Sequence, residues 1–105
     1  MKRVQVIPKE GINLYSKLIK KEVELSRKNR GTLYRSALKK KGREKWSHTD
    51  YKGWVNFQAA IGGVVVVEVH TKASRDEEWK LFHAFMGFLD RHFREEILAI
   101  NIQYD

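Results

Sequence analysis

The sequence predicts an α+β chain on the ferredoxin-like β-α-β-β-α-β plan, an antiparallel sheet with two helices on one face. Three observations predict it. Residues 2–7 and 97–104 alternate in polarity at the two-residue period of a strand. Segments 12–28 and 75–95 gather their apolar residues on one arc at the helical period. Between them lies a segment rich in β-branched residues, with valine at all four positions from 64 to 67.

Each element follows in order. In the first strand Val4 and Val6 share a face, and Pro8 and Gly11 end it. The first helix sets Ile12, Leu14, Tyr15, Leu18, Ile19, Val23 and Leu25 against a net cationic outer face of Lys17, Lys20, Glu24, Arg27 and Lys28. Asn29-Arg30-Gly31 stops or kinks it, and Thr32 is placed to cap a short basic helix over 33–41 that Gly42 would terminate, with a disordered basic loop as the alternative reading of this stretch. Residues 45–51 read as an additional strand extending the sheet edge, followed by a hairpin through Lys52-Gly53 into Trp54–Ala60. Val64–His70 reads as a central buried strand. Ser74-x-x-Glu77 has capping-box spacing and opens the second helix, with Trp79, Phe82, Phe85, Met86, Leu89 and Phe93 on its inner face. The last strand points Leu98, Ile100, Ile102 and Tyr104 one way, and Ala99, Asn101 and Gln103 the other.

A chain of 105 residues with 42% hydrophobic content suits one domain, 1–105, able to bury a core without disulfides. There is no cysteine, which excludes thiolate catalysis and cysteine-ligated zinc. The longest apolar run, Ile61–Val67, is too short to span a bilayer. The first residues lack the apolar stretch of a secretory signal, so a cytoplasmic location is expected.

The net charge of +8 is divided unevenly. Residues 1–54 hold 16 Lys/Arg against 5 Asp/Glu, whereas residues 55–105 hold 5 against 8. The excess peaks over residues 27–45, where nine of nineteen residues are basic and Glu44 is the lone acid. Tyr34 lies within this run and Trp46 directly follows it. Cations neutralise phosphate backbones, and aromatic faces stack on unpaired bases. The expected partner is therefore nucleic acid, RNA ahead of DNA, bound with low sequence specificity. Lys28, Arg30, Arg35, Lys39, Lys40, Lys41, Arg43 and Lys45 would hold the backbone, and Tyr34, Trp46 and Trp54 would stack.

Lys52-Gly53-Trp54-Val55-Asn56-Phe57 resembles part of the RNA-recognition-motif signature, with a basic residue, glycine, aromatics and valine on a strand. The signature's second glycine-aromatic pair is missing, and the first strand, Val4-Gln5-Val6-Ile7, carries no aromatic. The plainer reading is a hairpin with Phe57 in the core and Trp54 at the surface. The alternative function is a non-enzymatic protein-interaction or regulatory domain, homodimeric or docking an acidic partner. Leu81, Phe88 and His92 form one edge of the second helix, for which packing inside the chain is the default reading and a dimer contact the second. No metal or other cofactor is expected. His48/Asp50, Glu68/His70 and His83/Asp90 lack a recognised ligand spacing. Ser47 and His48 are strand neighbours facing opposite ways, so they form no catalytic pair, and no enzyme activity is expected.

Overall fold

The computed structural model describes residues 1–36 and 42–104. Its elements are β1 (Lys2–Pro8), α1 (Leu14–Arg27), β2 (Leu33–Arg35), β3 (Arg43–His48), β4 (Trp54–Ala59), β5 (Val65–His70), α2 (Arg75–Phe93) and β6 (Ile97–Gln103). The architecture is α+β, one six-stranded antiparallel sheet with two helices. The strand order is β2-β3-β4-β5-β1-β6. This differs from the four-stranded ferredoxin-like order, because the chain leaving α1 runs to the far edge and adds two strands there.

Local chemistry sets the helix ends. Asn13 Oδ1 accepts the Ser16 N–H at 3.1 Å and caps α1. At the other end Asn29 takes a left-handed φ of 53°. Arg30 N–H then reaches Leu25 O at 2.8 Å, and Asn29 N–H reaches Ser26 O at 3.1 Å, the paired closure of a Schellman motif. Ser74 Oγ accepts the Glu77 N–H at 3.3 Å and caps α2. Glu77 does not complete a capping box. Its Oε2 instead accepts the Lys52 N–H at 3.2 Å, tying the β3–β4 loop to the start of α2. That loop needs Gly53, whose φ is 117° and whose missing Cβ would stand 2.2 Å from His70 O.

Both helices cover the same sheet face, and their apolar residues join the inward strand residues in one core. Val4, Val6, Trp46, Val55, Phe57, Val65, Val67 and Val69 come from the sheet, and Leu14, Leu18, Phe85 and Leu89 from the helices. Leu81 and Phe88 are buried in this core, so this edge of α2 serves internal packing, the first of its two expected roles, and not a dimer contact. Trp79, expected on the inner face, is exposed and lies beside Lys2.

Two further expectations are corrected. Leu33–Arg35 is a strand, not the start of a helix, pairing Leu33 with His48, Tyr34 with Ser47 and Arg35 with Trp46. Burial of Leu33 and the ladder to β3 outweigh the local preference. The remainder of that expected helix, residues 37–41, lies outside the described residues. The additional strand covers Arg43–His48 rather than 45–51, and it is internal because β2 takes the edge.

Candidate nucleic-acid interface

The sheet face opposite the helices is the first surface to consider. Cross-strand register assigns its residues, since directly paired residues share a face. Lys45 pairs with Asn56, Arg43 with Gln58, Trp54 with His70, and Asn56 with Glu68. Arg3 pairs with Glu68 and with Gln103, and Gln5 with Val66 and Asn101. Tyr34 opposite Ser47 extends the face to the β2 edge, where its ring is exposed.

At its centre Trp54 stacks on His70, with ring centroids 5.2 Å apart and planes 11° from parallel. Lys45 Nζ lies over the Trp54 ring at 5.0 Å, within the range of a cation–π contact. Arg3 Nη2 bonds Glu68 Oε2 at 2.8 Å, and His70 Nε2 lies 3.3 Å from Glu68 Oε1. The Arg3 guanidinium, helped by His70, holds the Glu68 carboxyl below the usual carboxylate range against the opposing effect of burial. Glu68 is the sole carboxylate on this face among the described residues, and it is occupied. Arg43 and Lys45 have no carboxylate partner there, so their charge is available.

A second surface lies on the helix side, where an open groove of about 860 Å³ runs between the segment after α1 and the outer side of α2. Arg30, Lys80, Arg91, His48, His83 and His92 line it together with Tyr51 and Trp79, and among the described residues no acid does. His48 is buried, stacks on Tyr51 at 4.4 Å, and accepts the Asp50 N–H on Nδ1 at 3.0 Å. Burial pushes its pKa below the ordinary imidazole value, with Asp50 opposing. Burial does the same to His92, reinforced by Lys21 and Arg91.

These shifts give stability a definite pH dependence. The unfolded imidazoles titrate near about 6.5, so below that value the unfolded chain binds more protons than the folded one. The stabilisation is complete above this range and is lost as pH falls. A lower urea midpoint is expected at about pH 5.5 than at about pH 7.5, where ordinary histidines are charged and neutral respectively. A His48→Gln/His92→Gln variant should flatten the difference. An unchanged or higher midpoint in acid would contradict this account.

The eleven residues expected to bind nucleic acid do not form one patch. Tyr34, Arg43, Lys45 and Trp54 meet on the open face. Arg30 lies in the groove, and Lys28 projects from the end of α1, bonded to Glu24 at 3.3 Å. Lys39, Lys40 and Lys41 lie outside the described residues. Two assignments are corrected. Trp46 is 0% exposed and cannot stack on a base, because strand alternation turns it under the helices with Glu44 and His48. Arg35 also turns inward, with Nε donating to Glu44 Oε1 at 2.8 Å. Conversely, His70, Lys80 and Arg91 reach these surfaces from the less basic half of the chain. Alternation along β5 points to His70, whereas no local signal distinguishes Lys80 or Arg91 from other exposed helix cations.

Among the described residues no group of three or more His, Asp or Glu side chains could hold a metal ion, and no helix is long and apolar enough to cross a membrane. No family model, curated protein or solved structure matches the chain.

Proposed function

We propose that the chain binds single-stranded nucleic acid, RNA in preference to DNA, across the open face of its sheet. The observation that carries this reading is the Lys45–Trp54–His70 row beside Arg43, on a face whose one described carboxylate is already paired. On this reading β4, β5, β1 and β6 with the two helices act as a ferredoxin-like unit, extended by β2 and β3.

The mechanism is an exchange of partners. Lys45 Nζ covers a face of the Trp54 ring, and His70 stacks on the same indole. An incoming base takes that ring face and displaces the ammonium group, which turns to the adjoining phosphate. Arg43 holds the next phosphate, and Lys39, Lys40 and Lys41, just before it in sequence, would extend the track. Asn56, Gln58, Gln5 and Asn101 offer donors and acceptors to base edges. Stacking accepts every base and phosphate contacts carry no sequence information, so specificity is modest.

Fluorescence anisotropy with a labelled mixed-sequence RNA strand, titrated across salt, tests this. Affinity should weaken log-linearly with salt. Trp54→Ala should cost about 1–3 kcal/mol, roughly 5- to 150-fold in Kd, with little change in salt slope. Arg43→Ala/Lys45→Ala should instead flatten the slope by about 1.4, at about 0.7 per phosphate contact on a single strand. No binding at low salt would overturn the reading, as would variants that bind like the parent.

The carboxylate-free groove favours a second reading, in which an acidic protein segment docks against Arg30, Lys80 and Arg91. A labelled poly-glutamate peptide that binds the parent chain, but not an Arg30→Ala/Arg91→Ala variant, would select it.

A further inference from the structure

We propose that β6 is a self-association edge, through which two copies of this chain pair antiparallel about a two-fold axis and join their sheets into one of twelve strands. The inference is independent of what the open face binds.

The strand order leaves two edges, and they differ in kind. β2 is three residues long, contains Arg35 and sits in the basic segment, so two copies brought together there would repel. β6 is seven residues long and reads Ile-Leu-Ala-Ile-Asn-Ile-Gln. It carries no charge, proline or glycine, the devices that usually protect an edge from pairing. A bulge at Ile7/Pro8 disturbs one end only.

Its apolar residues are also uncovered. Ile100 and Ile102 pair with Val6 and Val4, on the helix-bearing face. Yet Val4 and Val6 are 0% exposed, while Leu98, Ile100, Ile102 and Tyr104 are 68%, 36%, 40% and 65% exposed. The cause is width. Two helices of about 10 Å each cover about four strands at about 4.8 Å spacing, so a six-stranded sheet overhangs them. Trp79, 45% exposed, lies near this edge, with the Lys2 ammonium, itself paired with Glu78, 5.6 Å from its ring and 5.5 Å from that of Tyr104.

Area and symmetry together select a second copy. These five side chains together expose roughly 500 Å², within the range of the largest and often functional apolar patch of a monomer, and two such surfaces with paired backbones bury about 1,200 Å², the threshold of specific interfaces. An antiparallel pair of identical strands is self-complementary about a two-fold axis normal to the sheet. The uncharged strand then sets apolar residues against apolar residues with no like charges opposed. The same axis keeps both open faces on one side of the joined sheet.

Light scattering coupled to size exclusion, and sedimentation over a range from low to high micromolar, should give twice the chain mass for the parent. Ile102→Lys should weaken the dimer at least 100-fold. Leu98→Lys/Tyr104→Lys, at two highly exposed positions that the core does not need, should do the same with an unchanged far-UV spectrum. A single cysteine placed in turn at Ala99, Ile100 and Asn101 should form an intermolecular disulfide at one or more of these positions on mild oxidation. A parent chain that stays monomeric overturns the proposal. So does a dimer that persists unchanged in folded lysine variants, since it would use another face.

Discussion

Trp46→Ala is expected to lower folding stability by about 3–5 kcal/mol, the range for deleting a large buried aromatic. The indole lies at the centre of the core and is fully buried. It makes edge-to-face contacts with Phe57 at 4.9 Å, Phe88 at 5.5 Å and Phe85 at 6.3 Å, linking β3 to β4 and to α2. These neighbours are fixed by the sheet and by the helix axis, so the cavity cannot close around an alanine. For a domain near this size each kcal/mol moves Tm by about 4–8 °C, which puts the expected fall above about 12 °C. Trp46→Phe should retain most of this packing. Urea denaturation followed by far-UV circular dichroism measures both variants, and a loss below about 1.5 kcal/mol for the alanine would refute the central role given to the indole.

Glu44→Ala is the second. The carboxylate is 1% exposed, and its Oε1 accepts from Arg35 Nε at 2.8 Å and from Trp46 Nε1 at 3.3 Å. Arg35 Nη2 lies 2.7 Å from the same oxygen, but among the described residues it makes no hydrogen bond and the buried Glu44 Oε2 has no partner. Removing the carboxylate strands a partly buried guanidinium and the indole N–H, at an expected cost of about 3–5 kcal/mol. Arg35→Ala should cost a similar amount, because it leaves the buried carboxylate unpaired. Glu44→Leu/Arg35→Met should recover most of the loss, since replacing both charges removes the desolvation cost with the attraction, and should stay about 1–3 kcal/mol below the parent for the indole N–H of Trp46 left without its acceptor. If the double variant is as unstable as the sum of the singles, the pair is not coupled as described.

These two predictions separate stability from binding within the basic segment. Trp46 and Arg35 stand among residues expected to touch nucleic acid, yet both face the core and serve the fold. A loss of retention on RNA in either variant would therefore report unfolding and not a lost contact. Trp54, Lys45 and Arg43 lie on the other side of the same sheet, so their substitution tests the interface without opening the core.

The sequence by itself determined what repeats at short range. The alternation of β1 and β6, the β-branched run of β5, both amphipathic helices and the Ser74 cap are carried by residues within a few positions of one another. So is the surface position of Trp54, which follows from parity along β4. Tertiary structure decided the rest. β2 has three residues and little local preference, and it exists because β3 supplies its hydrogen bonds and Glu44 fixes Arg35. The side taken by Trp46 depended on strand parity from Arg43, where a shift of one residue exchanges core and solvent. The basic run is contiguous in sequence but is distributed over a helix end, a groove, the core and the open face, because successive strand residues point to opposite sides. Likewise, the apolar residues of β6 read as core, and only the width of the sheet relative to two helices leaves them exposed.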